Sequence, residues 1–250
     1  MFNFTKSNDK PNGFLNPQRT IATLDVYWSK SRILNALKSQ LPHFHGTLLD
    51  VGCGRTPYKP LMLAPPSRVQ KYIGMDLAAN LRAPSYGRFG PPDLEWDART
   101  IPLASGSVDC AIATEIFQYC QNLEELMREV ARVLKPGGFF FFTVPFLWPV
   151  HDSPNDLFRY TPFALQKFLA EAGFGQITLE SLGGWDASLA QLIGLWVRRR
   201  PRKIRGMRLM LSLCAFPLVS FLQNRDTPRP IFTDQEMLTG IEGRAVKVLA

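Results

Sequence analysis

Gly52 and Gly54 flank Cys53 directly after an apolar run, Thr47-Leu48-Leu49-Asp50-Val51, that reads as a buried strand. Glycines at the end of such a strand let the backbone approach a ligand closely, and turn amides left open there would suit a carboxylate. A plain tight turn would use the same residues. Asp76 ends the next apolar run, Lys71-Tyr72-Ile73-Gly74-Met75, 24 residues after Gly52. A carboxylate at that place can accept hydrogen bonds from the two vicinal hydroxyls of a ribose, or it can cap a helix. Asp97 and Ala98 close the segment after the presumed third strand, where an acceptor could meet an adenine amino group; a surface loop acid is the other reading. A dinucleotide fingerprint would need a third glycine, and Pro57 stands at that position.

A second group lies beyond the strand Phe139 to Val144. Of the three histidines, His43 and His45 precede the first strand, whereas His151 follows the fifth on the side where an acceptor would sit. His151 suits a general base or an acceptor ligand; anchoring of its own loop is the alternative. Asp152, Arg159 and Tyr160 share that loop. Arg159 could fork onto an acceptor anion, or close the loop on Asp152 or Asp156, and Tyr160 could stack on a ring.

These residues need a frame. Ile21, Leu24, Trp28, Leu34, Leu37 and Leu41 follow helical spacing, stopped by Pro42. Asp109 to Ala113 reads as a strand, and Leu123 to Leu134 as a helix with Leu126, Val130 and Val133 inward. Pro136-Gly137-Gly138 turns that helix into Phe139-Phe140-Phe141-Phe142-Thr143-Val144, a continuous apolar run expected to be covered on both faces. Thr161 should cap a helix to Ala172, and Gln176 to Leu179 should be the next strand. The alternation predicts an α/β doubly wound, Rossmann-like and mostly parallel sheet with helices on both faces. Residues 1–20 read as a polar arm, 21–182 as the core, 183–240 as a helical basic and apolar insertion, and 241–250 as the final core strand, carried by Ala245 to Leu249.

Leu49-Asp50-Val51-Gly52-Cys53-Gly54 resembles motif I of the class I S-adenosylmethionine-dependent methyltransferases, and Tyr72-Ile73-Gly74-Met75-Asp76 resembles their motif II. Trp96 to Leu103 is similar to the adenine-contacting segment, and Arg128 to Gly138 to the helix and turn before the fifth strand. The likeness runs in order from about Gly46 to Leu179. It is closest to type-11 methyltransferases, in particular those of bacterial cell-surface glycan clusters, through Gly54 to Tyr58 and Pro149 to Thr161. The resemblance implies a seven-stranded sheet and S-adenosyl-L-methionine held by Asp50, Gly52, Cys53, Gly54, Tyr58 (at the mouth of the site), Asp76, Asp97, Ala98 and Thr114. It implies a small-molecule or saccharide acceptor, a lipid-linked glycan among them, methylated at oxygen. Two features depart from the pattern. Phe117-Gln118-Tyr119 replaces a Leu-Glu-His, substituting neutral groups for acid/base ones, and the acid-Phe pair before Asp109 is missing. A quinone or lipid-precursor acceptor, or a cofactor-binding protein without catalysis, remains open on these residues.

The chain has 250 residues, 46% hydrophobic and 20% charged, as in ordinary globular proteins. Its net charge of +8 is local: seven basic residues and no acidic one lie between Arg198 and Arg208. Four cysteines without CxxC or metal-ligand spacing fit reduced thiols, and the first residues lack a signal-peptide core; a cytoplasmic location is expected. No Pro-Pro-aromatic follows the fourth strand, where Thr114-Glu115-Ile116 stands, so a nucleic-acid acceptor is disfavoured. Leu209 to Leu222, taken as 14 residues interrupted by Pro217, would reach about 21 Å as a helix, short of a bilayer core of about 30 Å. Beside the basic cluster it suits a peripheral contact of 198–222 with an anionic membrane surface, or a helix pair packed on the core.

Overall fold

A computed structural model describes residues 13–77, 92–200, 206–227 and 232–248. Seven strands form one sheet in the order β3-β2-β1-β4-β5-β7-β6. They are β1 (His45–Val51), β2 (Arg68–Leu77), β3 (Leu94–Trp96), β4 (Val108–Thr114), β5 (Leu134–Pro145), β6 (Phe174–Ser181) and β7 (Gly240–Lys247). Pairing from β3 through β5 is parallel throughout. The order reverses between β1 and β4, so their carboxyl ends open a crevice of the kind in which doubly wound sheets bind ligands. This is the doubly wound architecture expected, with two helices inserted before the last strand.

Contacts divide the chain into two compact units. The sheet unit comprises 37–144, 150–179 and 242–250. Phe140, Phe141 and Phe142 are all but inaccessible, so side chains on both faces of β5 are covered. Phe117 packs on Phe142 with ring centroids 5.1 Å apart. On the other face Phe44 meets Phe139 and Phe141 edge-on. Helix α3 (Leu123–Val133; α2 is the single turn Lys59–Met62) starts where Asn122 accepts from the Glu125 amide, and it buries Leu126, Met127, Val130 and Val133. Helix α4 (Pro162–Glu171) is capped by Thr161, whose hydroxyl accepts from Ala164 N.

The helical unit comprises 1–36, 145–149 and 180–241. Within it the start of α5 (Trp185–Arg199) is tied to the end of α6 (Met207–Arg225): Asp226 accepts from Gly184 N and Ala187 N, and Arg225 pairs with Asp186. Leu24, Ala190, Val197, Val219 and Leu222 form the core between them.

Several boundaries differ from expectation. The first helix, α1, spans Tyr27–Gln40, because Ile21 to Val26 form turns stitched by Thr20 and Thr23. Strand β7 starts five residues early, at Gly240. Helix α6 runs 19 residues, about 28 Å, rather than 14. Pro217 lies inside it on the exposed side, where losing one backbone hydrogen bond does not end the helix. By length and composition α6 could cross a membrane. Most of the polar arm, part of the basic cluster and the Pro-rich turn after Thr227 lie outside the described residues.

Candidate active site

The parallel strands bring Gly52, Asp76 and Thr114 to one edge of the sheet. Gly52 (φ 71°) and Gly54 (φ 53°) are left-handed, the conformation glycine adopts at least cost. A Cβ on Gly52 would stand 2.5 Å from Ile116, whereas one on Gly54 would meet nothing within 4 Å. The turn is therefore packed beneath and open above. Its amides are not open, contrary to expectation. Gly52 N and Cys53 N both donate to Met75 O, at 2.8 and 3.0 Å, and Gly54 N donates to Asp76 Oδ2 at 3.0 Å. The turn offers close backbone approach, and its polar groups tie it to the end of β2.

Asp76 is buried and also accepts from Leu77 N at 2.7 Å. These bonds orient the carboxylate at the end of β2. Asp50 is buried too, takes a hydrogen bond from the Tyr72 hydroxyl on Oδ2, and has no partner on Oδ1 among the described residues. Burial pushes its pKa up to about 7, with the Tyr72 bond opposing and the Asp76 charge assisting. Burial likewise holds the Cys53 thiol protonated. Tyr58, expected at the mouth of the site, is buried instead, and its phenol is raised by burial and by the carboxylates of Glu115 and Asp50. Asp97 is exposed, and its Oδ1 accepts from Arg99 N and Thr100 N, so this oxygen shapes its own turn. Ala98 is left-handed at φ 68°. The segment just beyond is clamped by α3: Arg132 donates to Ile101 O and Leu103 O, while Glu129 accepts from Ile101 N.

Two residues missed in the sequence complete the edge. Glu115, next to Thr114, has φ 56° and a buried Oε1 without a partner among the described residues. Burial pushes its pKa up to about 7, with the neighbouring Thr143 hydroxyl and then the Arg159 charge pulling the other way. It thus lies electrostatically between Tyr58 and the 151–159 loop. Tyr119, set aside as a neutral replacement, contacts His151: its hydroxyl is 2.7 Å from Nε2 and 2.9 Å from Asp152 Oδ2. Asp156 lies 3.0 Å from His151 Nδ1 and also accepts from the His151 amide. Arg159 forks onto both oxygens of Asp156, at 2.6 and 2.9 Å, which holds that carboxyl down to about 2. Of the two uses open to Arg159, the structure shows the loop-closing one. Tyr160 packs in an aromatic stack with Phe158 and Phe168. Leu157 N and Phe158 N donate to Gln118 O, so the loop is docked on the segment after β4. The structure thus joins Asp50, Gly54, Asp76 and Tyr58 in one group, and His151, Asp152 and Arg159 in a second, with Glu115 between them. Asp97 makes its contacts apart from both.

Three buried carboxyls beside an open glycine turn suit a cationic nucleoside such as S-adenosylmethionine, whose ammonium and sulfonium would face Asp50 and its neighbours. Residues 49–142 match the family described as a methyltransferase domain. A malonyl-[acyl-carrier protein] O-methyltransferase of Methylococcus capsulatus is 32% identical over 100 residues, covering 38% of this chain and 36% of that protein. A fatty-acid O-methyltransferase of Mycolicibacterium smegmatis is 29% identical over 188 residues, 71% of this chain and 66% of the relative. The chain spans between 21% and 47% of the length of three curated relatives that it matches. Among solved structures, an S-adenosylmethionine-dependent methyltransferase of Thermotoga maritima, described as a possible histamine N-methyltransferase, superposes with a TM-score of 0.58 at 14% identity, covering 90% and 92% of the two chains. Over residues 49–142 the chain is similar to the methyltransferase-domain family, and its fold is the one seen in solved S-adenosylmethionine-dependent methyltransferases.

Proposed function

We propose that this chain, a methyltransferase by domain and fold, moves the methyl group of S-adenosylmethionine to an oxygen of a small-molecule or saccharide acceptor. One observation carries the reading: the Gly54 amide and the Asp76 carboxylate bind each other across the ends of β1 and β2, fixing turn and acid as one preformed cradle. In it Asp76 would accept from the ribose hydroxyls, Gly54 would let the backbone lie against the ligand, and Asp50 would face its positive end. Asp97 and Ala98 would border the adenine. The bound cofactor supplies an activated methyl cation equivalent, so the protein has to align the acceptor and take up its proton.

His151 is suited to the proton. Asp156, held ionised by Arg159, accepts from Nδ1–H and leaves Nε2 toward Tyr119. As the acceptor hydroxyl gives its proton to the phenol oxygen, the phenol proton can pass to Nε2. The charge ends as an imidazolium beside Asp156, and the phenol is regenerated. The same residues could receive an acceptor directly at Nε2 once Tyr119 swings aside. A lipid-type acceptor is the second reading, favoured by the likeness to the fatty-acid O-methyltransferase over 71% of the chain. The three buried cysteines without disulfides support a reducing, cytoplasmic setting. Calorimetry with S-adenosylhomocysteine tests the cofactor reading, which heat of saturable binding supports and its absence ends. Labelled S-adenosylmethionine offered with saccharide and fatty-acid panels tests the acceptor.

A further inference from the structure

Helix α5 carries much of its apolar bulk outward. Its buried positions are Ala187, Ser188, Ala190, Gln191, Gly194, Leu195 and Val197, mostly small or polar, whereas its exposed ones are Trp185, Leu189, Leu192, Trp196 and, at the carboxyl end, Arg199. The four apolar ones stand 63%, 49%, 46% and 47% exposed, at intervals of four, three and four residues, so they form one stripe along the helix. The small residues inward have a packing reason: a Cβ on Gly194 would stand 2.3 Å from Leu24 O. That close approach does not require large apolar residues outward. A solvated helix would carry polar groups there.

The stripe continues into chemistry at its carboxyl end. Arg199 lies over the Trp148 ring, and Arg200 stacks 4.0 Å from the centre of Trp196. An apolar cleft of about 380 Å³ opens here between Trp148, Leu192 and Trp196, with Arg199 at its border. The chain then enters the run from Arg198 to Arg208, with seven basic residues and no acidic one. Helix α6 follows, with Met210, Leu213, Leu218 and Phe221 about half exposed. Its apolar residues continue on all sides, and only 22% of the span is buried.

We infer that the α5 stripe and the outward side of α6 are a docking surface for a lipid bilayer rich in anionic headgroups. Tryptophans at both ends of the stripe suit the headgroup boundary, the leucines between them suit the acyl region, and the arginines suit phosphates. A second copy of the chain fits less well, because a symmetric pairing through these helices would bring two strongly cationic segments together. The inference is independent of the cofactor reading, since it concerns binding and uses no residue of the methyl-transfer site.

The test uses the full chain with vesicles of phosphatidylglycerol and phosphatidylcholine, against phosphatidylcholine alone. Flotation with the anionic vesicles at low salt, weakened about tenfold or more at high salt, is the expected result. Leu189→Ser combined with Leu192→Ser should lower the partition coefficient about tenfold while circular dichroism stays unchanged. Should that variant fail to fold, quenching of wild-type tryptophan emission by brominated lipid decides: quenching supports docking, and unchanged emission overturns it. Absence of flotation at low salt overturns it as well. So does equal flotation of the folded variant, or a dimer in sedimentation that the two serines dissociate.

Discussion

The phenol of Tyr119 carries a single proton, yet it lies within hydrogen-bond reach of both His151 Nε2 and Asp152 Oδ2. It can serve one acceptor at a time, which is the property a proton relay needs. On the proposed reading His151→Ala should lower turnover by about 10²–10⁴, while S-adenosylhomocysteine affinity in calorimetry stays within about twofold. Tyr119→Phe keeps the ring packing and removes the relay, so turnover should fall with little change in acceptor KM; unchanged turnover would reduce Tyr119 to a loop anchor. Asp50 gives a second test. Its pKa of about 7 when folded, against the model-peptide value of 3.8, means that the folded chain binds more protons between roughly pH 4 and 7. Its contribution to stability is therefore complete at low pH and is lost as pH rises through about 7, with a slope of at most about 1.4 kcal/mol per pH unit. Asp50→Asn should flatten the denaturant-derived stability profile there, leaving the part due to Glu115, which shifts in the same direction. A cationic ligand prefers the ionised carboxylate, so S-adenosylmethionine binding should tighten up to about pH 7 and release protons, as calorimetry in buffers of different ionisation heat would show. Sequence spacing already marked Gly54, Asp76 and His151, since strand ends are readable from apolar runs, and the family resemblance added Asp50. Tyr119 and Glu115 were not readable. Their significance comes from a loop 30 residues onward in one case and from an unpartnered buried oxygen in the other, and neither has a local signal.

At the scale of elements, the glycine turn separates what holds the fold from what faces a ligand. Gly52→Ala would drive a Cβ into Ile116 and impose a left-handed alanine, whereas Gly54→Ala meets only the backbone cost. The second change should destabilise by about 1–2 kcal/mol, and the first by about 1–3 kcal/mol more. Affinity should respond in the opposite order, because the Gly54 Cβ enters the open space above the turn. Denaturant melts and calorimetry on both variants check the crossed pattern; parallel losses would mean that no ligand lies against Gly54. Elements with a strong apolar signal were legible: the Leu123–Val133 helix appears where its apolar residues put it, and Phe139 to Val144 are strand, although β5 starts at Leu134 and takes in the Pro136-Gly137-Gly138 expected as a turn. Strand β3 was only presumed, because three residues cannot show an alternation. The start of β7 was obscured by Gly240 and Gly243. Gly243 proves to be a site of close approach, where a Cβ would stand 2.1 Å from Phe142. The length of α6 was masked by Pro217, whose ring faces outward.

Over the whole molecule, function is distributed unevenly between two units. Every residue assigned here to the cofactor, together with Glu115, Tyr119, His151 and Arg159, belongs to the sheet unit, while the basic run and both exposed helices belong to the helical one. The net charge of +8 is therefore no guide to the proposed methyl-transfer site, where Asp50, Asp76 and Glu115 are the carboxyls beside the glycine turn. A ligand that binds only the folded sheet unit stabilises it by RT ln(1 + [L]/Kd), about 2.7 kcal/mol at a hundredfold excess over Kd. Amide hydrogen exchange followed by mass spectrometry can locate that gain. With saturating S-adenosylhomocysteine, protection should rise in peptides covering 48–58, 72–77 and 110–119, and stay unchanged across 185–199 and 207–225. The reverse pattern would put the nucleoside on the helical unit and remove Asp76 from the site. Anionic vesicles should produce the complementary map, with slower exchange at 185–199 and no change at 48–58. Two ligands with non-overlapping footprints would establish that catalysis and docking occupy separate parts of the chain.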